Sequence, residues 1–161
     1  GLSDMEQKWV LEGRQSGQEF ICTKTQFSRR LAQLPIGYIC SVVEKTFPNS
    51  AAFEQDGAIV CFVETGALLE KGKSYLQVFR EYVTPMFAAL NFDIGISDPF
   101  QDIYSAQLYY LQACSALENG RIFAPGEHFY LFQDYALTEL ITGPFSVGAV
   151  LFRWLPEACG S

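Results

Sequence analysis

The sequence predicts an α+β fold with a mainly antiparallel sheet and flanking helices. The chain has 161 residues and is 49% hydrophobic, which is enough for one domain with a core of its own. An Asp-Gly pair lies between two apolar runs, and this is the strongest short-range signal of a β-hairpin. Helical and strand-like segments alternate along the second half, as is typical of helices packed on a sheet.

The first part of the chain predicts helices. Residues 3–12 predict a short helix because Ser3 and Glu6 form a capping box. A second helix is predicted over 23–33, and a proline and a glycine that follow would end it. We therefore expect residues 1–35 to form an N-terminal helical extension.

The sheet is expected to begin with a strand over 37–47, which is rich in β-branched and aromatic residues. A turn follows, and residues 51–65 then predict two strands joined at Asp56 and Gly57. The second of these strands is apolar almost without interruption, so we expect it to be central and covered on both faces.

The second half alternates helices and strands. Helices are predicted over 73–90, 102–119, 134–141 and 145–155, and strands over 91–97 and 128–132. The other two predicted parts of the chain follow from this order, an α+β domain over 36–141 and a helical tail over 142–161. A hairpin combined with helical crossovers favours a ferredoxin-like or nucleotidyl-cyclase-like arrangement.

The helix over 102–119 carries two apolar stripes and no charge from Ile103 to Leu117. The first stripe consists of Ile103, Ala106, Tyr110, Ala113 and Leu117, and the second of Tyr104, Leu108 and Leu111. One stripe is expected to pack on the sheet. The second either lies under the terminal helices or forms an interface with a second subunit or another domain, and Trp154 of the tail is a further candidate for that interface.

Composition excludes several function classes. The net charge is −7 and the basic residues are scattered, so we expect no direct contact with nucleic acid. No run is long and apolar enough for a membrane span. The five cysteines have no C-x-x-C spacing and there is one histidine, which predicts a reduced, cytoplasmic protein without a zinc site.

No catalytic motif stands out. The chain has no G-x-S-x-G sequence and no phosphate-binding loop, and residues 70–74 predict a loop before a helix. Two interpretations of the acidic residues near the predicted hairpin stay open. Glu44 can approach Glu54 or Asp56 to hold Mg²⁺, or Asp56 serves the turn while the glutamates are solvated.

One succession of segments in the second half matches a known pattern. The matching residues are Ile94-Gly95-Ile96-Ser97, Tyr109-Tyr110-Leu111-Gln112-Ala113, Ala116-Leu117, Phe132, Asp134, Ala136-Leu137 and Leu140-Ile141. This succession resembles the GGDEF-like central domain of PucR/CdaR-type bacterial transcriptional regulators, over residues 36–141. The chain departs from the family where Leu111 and Gln112 replace an Arg-Glu pair.

The hairpin turn departs from the active members of that fold. It reads Glu54-Gln55-Asp56-Gly57 and continues into the apolar Ala58, where diguanylate cyclases carry acidic residues. The resemblance therefore implies a degenerate copy that has no catalytic residues, no metal and no cofactor.

The resemblance implies a regulatory and oligomerisation module of a bacterial transcription factor, with a homodimer as its expected assembly. Family members usually continue into a helix-turn-helix, for which a chain that stops at Ser161 leaves no room. The expected partner is therefore a DNA-binding domain absent from this chain. Two alternatives stay open: a sensor that binds a small ligand in an aromatic-lined pocket, or an active nucleotidyl cyclase or phosphodiesterase-like enzyme.

Overall fold

The structure is a computed structural model that describes residues 1, 2, 4, 18–30 and 33–142. In those residues it contains five strands and four α-helices. The strands are β1 (Phe20–Phe27), β2 (Ala51–Gln55), β3 (Ala58–Glu64), β4 (Phe92–Ile96) and β5 (Phe129–Leu131). The helices are α1 (Ile36–Thr46), α2 (Tyr75–Phe87), α3 (Ala106–Phe123) and α4 (Phe132–Thr142). This confirms the predicted α+β fold.

The strands form one sheet in the order β2-β3-β1-β4-β5. The first four are antiparallel to their neighbours, and β5 pairs in parallel with β4. Strands β1 to β4 with α1 and α2 follow the order β-α-β-β-α-β of a ferredoxin-like unit, and β5 extends it at one edge.

Helices cover both faces of the sheet. Apolar residues of α1 and α2, among them Val43 and Phe79, pack with Ile59 of β3 on one face. On the other face, Tyr110 of α3 belongs to a second cluster that contains Phe62 of β3. Strand β3 is therefore buried on both sides, which confirms the prediction of a central, doubly covered strand.

The first two sheet predictions were wrong. Residues 23–27 of the predicted helix over 23–33 belong to strand β1, the middle strand of the sheet, and the segment predicted as a strand over 37–47 corresponds to helix α1. Ile39, Val43 and Phe47 are buried at four-residue intervals, so this helical period outweighs the β-branched composition.

Part of the predicted helical extension belongs to the sheet. The sheet includes residues from Phe20 onward, so residues 20–27 do not belong to a helical extension over 1–35. The helix predicted over 3–12 lies outside the described residues except for Asp4, and so does the tail helix predicted over 145–155.

The hairpin prediction was confirmed. Asp56 and Gly57 both have positive φ angles, 50° and 75°, as a two-residue turn of type I′ requires. Aspartate tolerates this conformation better than most residues, and glycine adopts it without a Cβ clash.

Helix α3 is longer than predicted. Its expected end at Asn119 and Gly120 was wrong, because the helix continues to Phe123. A Cβ at Gly120 would lie 2.2 Å from ring carbons of Tyr130 on β5. This glycine therefore serves the close packing of helix and strand. The predicted elements over 73–90, 91–97, 128–132 and 134–141 agree with the structure to within a few residues.

Candidate functional site

The β2–β3 turn is held against α3 by one hydrogen bond. The Tyr110 hydroxyl donates to Oδ2 of Asp56 over 2.6 Å, across 54 positions of sequence. Tyr110 lies on the buried stripe of α3, whereas Asp56 is exposed at the tip of the hairpin. One carboxylate oxygen of the turn is therefore engaged in a structural contact.

The electrostatics of this contact keep the tyrosine neutral. Burial raises the pKa of Tyr110, and the hydrogen bonds to Asp56 and Cys114 raise it further. The phenol therefore acts as a hydrogen-bond donor to the carboxylate across the ordinary pH range.

The other acidic residues of the predicted turn region do not join Asp56. Glu44 is on α1 rather than on a strand, and its Oε1 accepts from the Ala52 backbone N–H over 3.0 Å. Glu54 is exposed on β2, and Gln55 beside it is half-buried. Among the described residues, no group of three or more His, Cys, Asp or Glu side chains could hold a metal ion.

A lysine of the middle strand lies under α3 beside the turn. The Lys24 Nζ atom is 3.6 Å from the Cys114 Sγ atom and 5.8 Å from the ring centroid of Tyr110. Both Lys24 and Cys114 are half-buried. This cluster was missed because residues 23–33 were predicted as a helix, which placed Lys24 outside the sheet.

The two predicted stripes of α3 are separated as expected. All five residues of the first stripe are buried. The second stripe is exposed, with relative accessibilities of 67% for Tyr104, 55% for Leu108 and 49% for Leu111. We call these three residues the α3 outer stripe, although Tyr104 lies in the 3-10 turn Ile103–Ser105 that leads into the helix. Trp154, the fourth candidate for the interface, lies outside the described residues.

Further apolar side chains are exposed near the C-terminal end of the described chain. They are Ile122 and Phe123 of α3, and Leu137 and Leu140 of α4. Sequence reasoning missed the leucines as surface residues because it treated 134–141 as a segment of the family pattern. Their spacing of three positions on one helix was the available signal.

An apolar cleft of about 230 Å³ opens between α1 and α2. It is lined by Pro35, Tyr38, Ile39, Val42, Met86, Phe87 and Leu90. The strand predicted over 37–47 concealed it, because the cleft exists only when these residues lie on a helix. A second cleft, of about 380 Å³, lies between the β2–β3 turn and the loop after β1, where Arg29 and Arg30 are exposed.

No protein-family model matches the chain, and no curated protein matches it. Within the described part of the chain, the helices are too short or too polar to cross a membrane.

Proposed function

We propose that this chain is a non-catalytic regulatory and oligomerisation domain of a cytoplasmic bacterial transcriptional regulator of the PucR/CdaR type. It binds a second copy of itself and relays a signal to a DNA-binding domain carried elsewhere in the parent protein. The single observation that carries this proposal is the α3 outer stripe, an exposed apolar row on a helix that has no charge between Ile103 and Leu117.

The charge distribution supports a second copy as the partner. The chain is acidic, with a net charge of −7, so two copies repel each other across most of their surfaces. The α3 outer stripe is free of charged side chains, and it is a surface where two acidic copies can meet. Exposed apolar rows that contain tyrosine are typical of protein interfaces.

The hairpin supports a role without chemistry. Asp56 accepts the Tyr110 hydroxyl, and the first two residues after the Asp56-Gly57 turn, Ala58 and Ile59, are buried and apolar. A catalytic turn of the cyclase type needs acidic groups that converge on a divalent ion. Here the same turn serves to attach β2 and β3 to α3.

The packing of α3 supports signal relay. Residues on its inner side contact β4 so closely that a Cβ at Gly95 would lie 2.1 Å from the Ala113 carbonyl oxygen. A helix so tightly seated cannot bend, so it responds to a partner as a rigid body. Binding at the α3 outer stripe would therefore be transmitted through Tyr110 to the hairpin turn.

A charge introduced into the outer stripe tests the interface. We expect the wild-type chain to be a dimer in sedimentation equilibrium and Leu108→Glu to shift it to monomer, because a carboxylate would be desolvated in the contact. Leu69→Glu is the matched control, since Leu69 is 80% exposed in a loop after β3. A monomeric wild-type chain at high concentration, or a dimer that Leu108→Glu leaves intact, would contradict the proposal.

A second experiment tests the regulatory role. The chain is fused to a helix-turn-helix headpiece that binds its operator only as a dimer. We expect the fusion to repress an operator-controlled reporter and the Leu108→Glu fusion to lose repression, while Leu69→Glu keeps it. Equal repression by all three fusions would mean that the stripe does not join copies of the chain.

A small-ligand sensor is the second candidate, and the cleft between α1 and α2 favours it. Its lining is apolar and aromatic, and apolar cavities of about 150 Å³ are known to bind a single ring. We expect indole to raise the melting temperature of the wild-type chain and not of Val42→Phe, which fills the cleft. Equal shifts for both proteins would exclude the cleft as the site.

A further inference from the structure

The Lys24–Cys114 contact joins two reactive side chains in a half-buried position. Lys24 lies on the middle strand, where its neighbours in register are Val60 on β3 and Gly95 on β4. Its ammonium lies against α3, 3.6 Å from the Cys114 sulfur and over the Tyr110 ring. The contact is long-range, since it joins residues 90 positions apart.

Among the described residues, no carboxylate forms an ion pair with the Lys24 ammonium. The Asp56 carboxylate nearby accepts the Tyr110 hydroxyl instead. An ammonium that donates to a sulfur atom stabilises the negative charge that the sulfur carries when it attacks an electrophile, and the Lys24 Nζ atom is placed to do so at Cys114.

The other described cysteines have the opposite surroundings. Cys22 and Cys61 are buried, and burial raises the pKa of both thiols, that of Cys61 to about 12. Cys40 is half-buried like Cys114, but burial raises the pKa of its thiol and the carboxylates of Glu44 and Glu54 raise it further. Cys40 therefore matches Cys114 in exposure and differs in the sign of the neighbouring charge.

We propose that Cys114 is a thiol modification site, activated by the Lys24 ammonium, that reacts with hydroperoxides and soft electrophiles. With a hydroperoxide, the thiolate attacks one peroxide oxygen, an S–O bond forms and the O–O bond breaks. The sulfur is oxidised by two electrons to a sulfenic acid, and the peroxide is reduced to an alkoxide that takes a proton from water. This inference is independent of the proposed regulatory function.

The site lies where modification has a structural consequence. Cys114 is one turn along α3 from Tyr110, which holds the β2–β3 turn. An added oxygen must be accommodated between Lys24 and Tyr110, so oxidation at Cys114 would disturb the contact between α3 and the hairpin.

Alkylation kinetics test the proposal. The folded chain is treated with iodoacetamide at neutral pH, and the rate at each cysteine is followed by peptide mass spectrometry. We expect Cys114 to react about tenfold faster than Cys40. In Lys24→Met, which keeps the apolar stem and removes the charge, we expect the rate at Cys114 to fall severalfold while the rate at Cys40 stays unchanged.

Two further measurements keep the test decisive. When the wild-type chain is unfolded in urea, the alkylation rates of Cys114 and Cys40 should converge. This would show, without any variant, that the difference between the two rates comes from the fold. After treatment with a hydroperoxide, a dimedone probe should label Cys114 before Cys40. Equal rates at the two cysteines of the folded chain, or a Cys114 rate that a folded Lys24→Met leaves unaltered, would overturn the proposal.

Discussion

The contact between α3 and β4 predicts a large effect of a single methyl group at Gly95. In Gly95→Ala the new Cβ would lie 2.1 Å from the Ala113 carbonyl oxygen, 2.8 Å from the Leu117 backbone nitrogen and 2.9 Å from the Leu117 Cβ. All three are atoms that no side-chain rotation can move, so α3 has to shift away from the sheet.

The size of the effect follows from two opposing terms. Forcing extra volume into a packed core costs typically 1–3 kcal/mol, and the contacts here are close enough to place the cost at the upper end, ~3 kcal/mol. Replacing glycine by alanine in a strand returns only about 0.5–1 kcal/mol through the lower entropy of the unfolded chain. We therefore expect Gly95→Ala to lower the free energy of unfolding by about 2 kcal/mol or more.

Urea unfolding followed by circular dichroism measures this change, as a lower midpoint with an unchanged slope. Gly37→Ala is the control, because nothing lies within 4 Å of a Cβ at Gly37 in α1, and it should be neutral or slightly stabilising. If Gly95→Ala changed the free energy of unfolding by less than about 0.5 kcal/mol, the packing argument would be refuted, because contacts this close have a larger energetic cost.

Three further predictions follow from the contacts that α3 makes on the same face of the sheet. Gly120→Ala should destabilise the chain by a similar amount in the same assay, because its Cβ would meet the ring of Tyr130 at 2.2 Å. Tyr110→Phe should cost about 1 kcal/mol, because it removes the hydrogen bond to the exposed Asp56. The raised pKa of Tyr110 means that the folded state keeps a proton that the unfolded chain releases, so the wild-type chain should lose stability as the pH rises above about 10. Urea midpoints measured between pH 8 and 11 should decline less in Tyr110→Phe, and parallel declines would show that Tyr110 is not the group responsible.

Local signals predicted the parts of the fold that depend on local physics. The Asp56-Gly57 turn, the helix α2 and the two stripes of α3 follow from residue conformation and from periodicity within one element. These features need no knowledge of which segment lies beside which.

The errors arose where tertiary contacts decide the outcome. Strand β1 contains Lys24, a residue type that is depleted in strands, yet pairing with β3 and β4 on both sides makes this segment the middle of the sheet. The end of α3 was misplaced because glycine is the usual helix terminator, whereas Gly120 is required by the ring of Tyr130.

Only part of the candidate site could be predicted from the sequence, because the rest depends on tertiary contacts. The turn residues and the α3 outer stripe are visible in the sequence, because each belongs to a single hairpin or helix. The Tyr110–Asp56 hydrogen bond and the Lys24–Cys114 contact join residues 54 and 90 positions apart, and both depend on where β1 lies in the sheet. The cleft between α1 and α2 likewise requires the correct assignment of 36–46.

Helix α3 is the element through which the separate features are linked. Its inner side is fixed to β4 at Gly95 and to the hairpin through Tyr110, and its outer side exposes Leu108 and its neighbours. A partner on the outer side cannot bend a helix that is packed so closely along its length, so it can act only by moving α3 as a rigid body relative to the sheet. Such a movement strains the Tyr110–Asp56 contact first, because that hydrogen bond joins the helix to an exposed turn, whereas the Gly95 contact is enclosed in the core. Dimer formation at the α3 outer stripe should therefore change hydrogen exchange at the β2–β3 turn while the exchange of β4 stays constant.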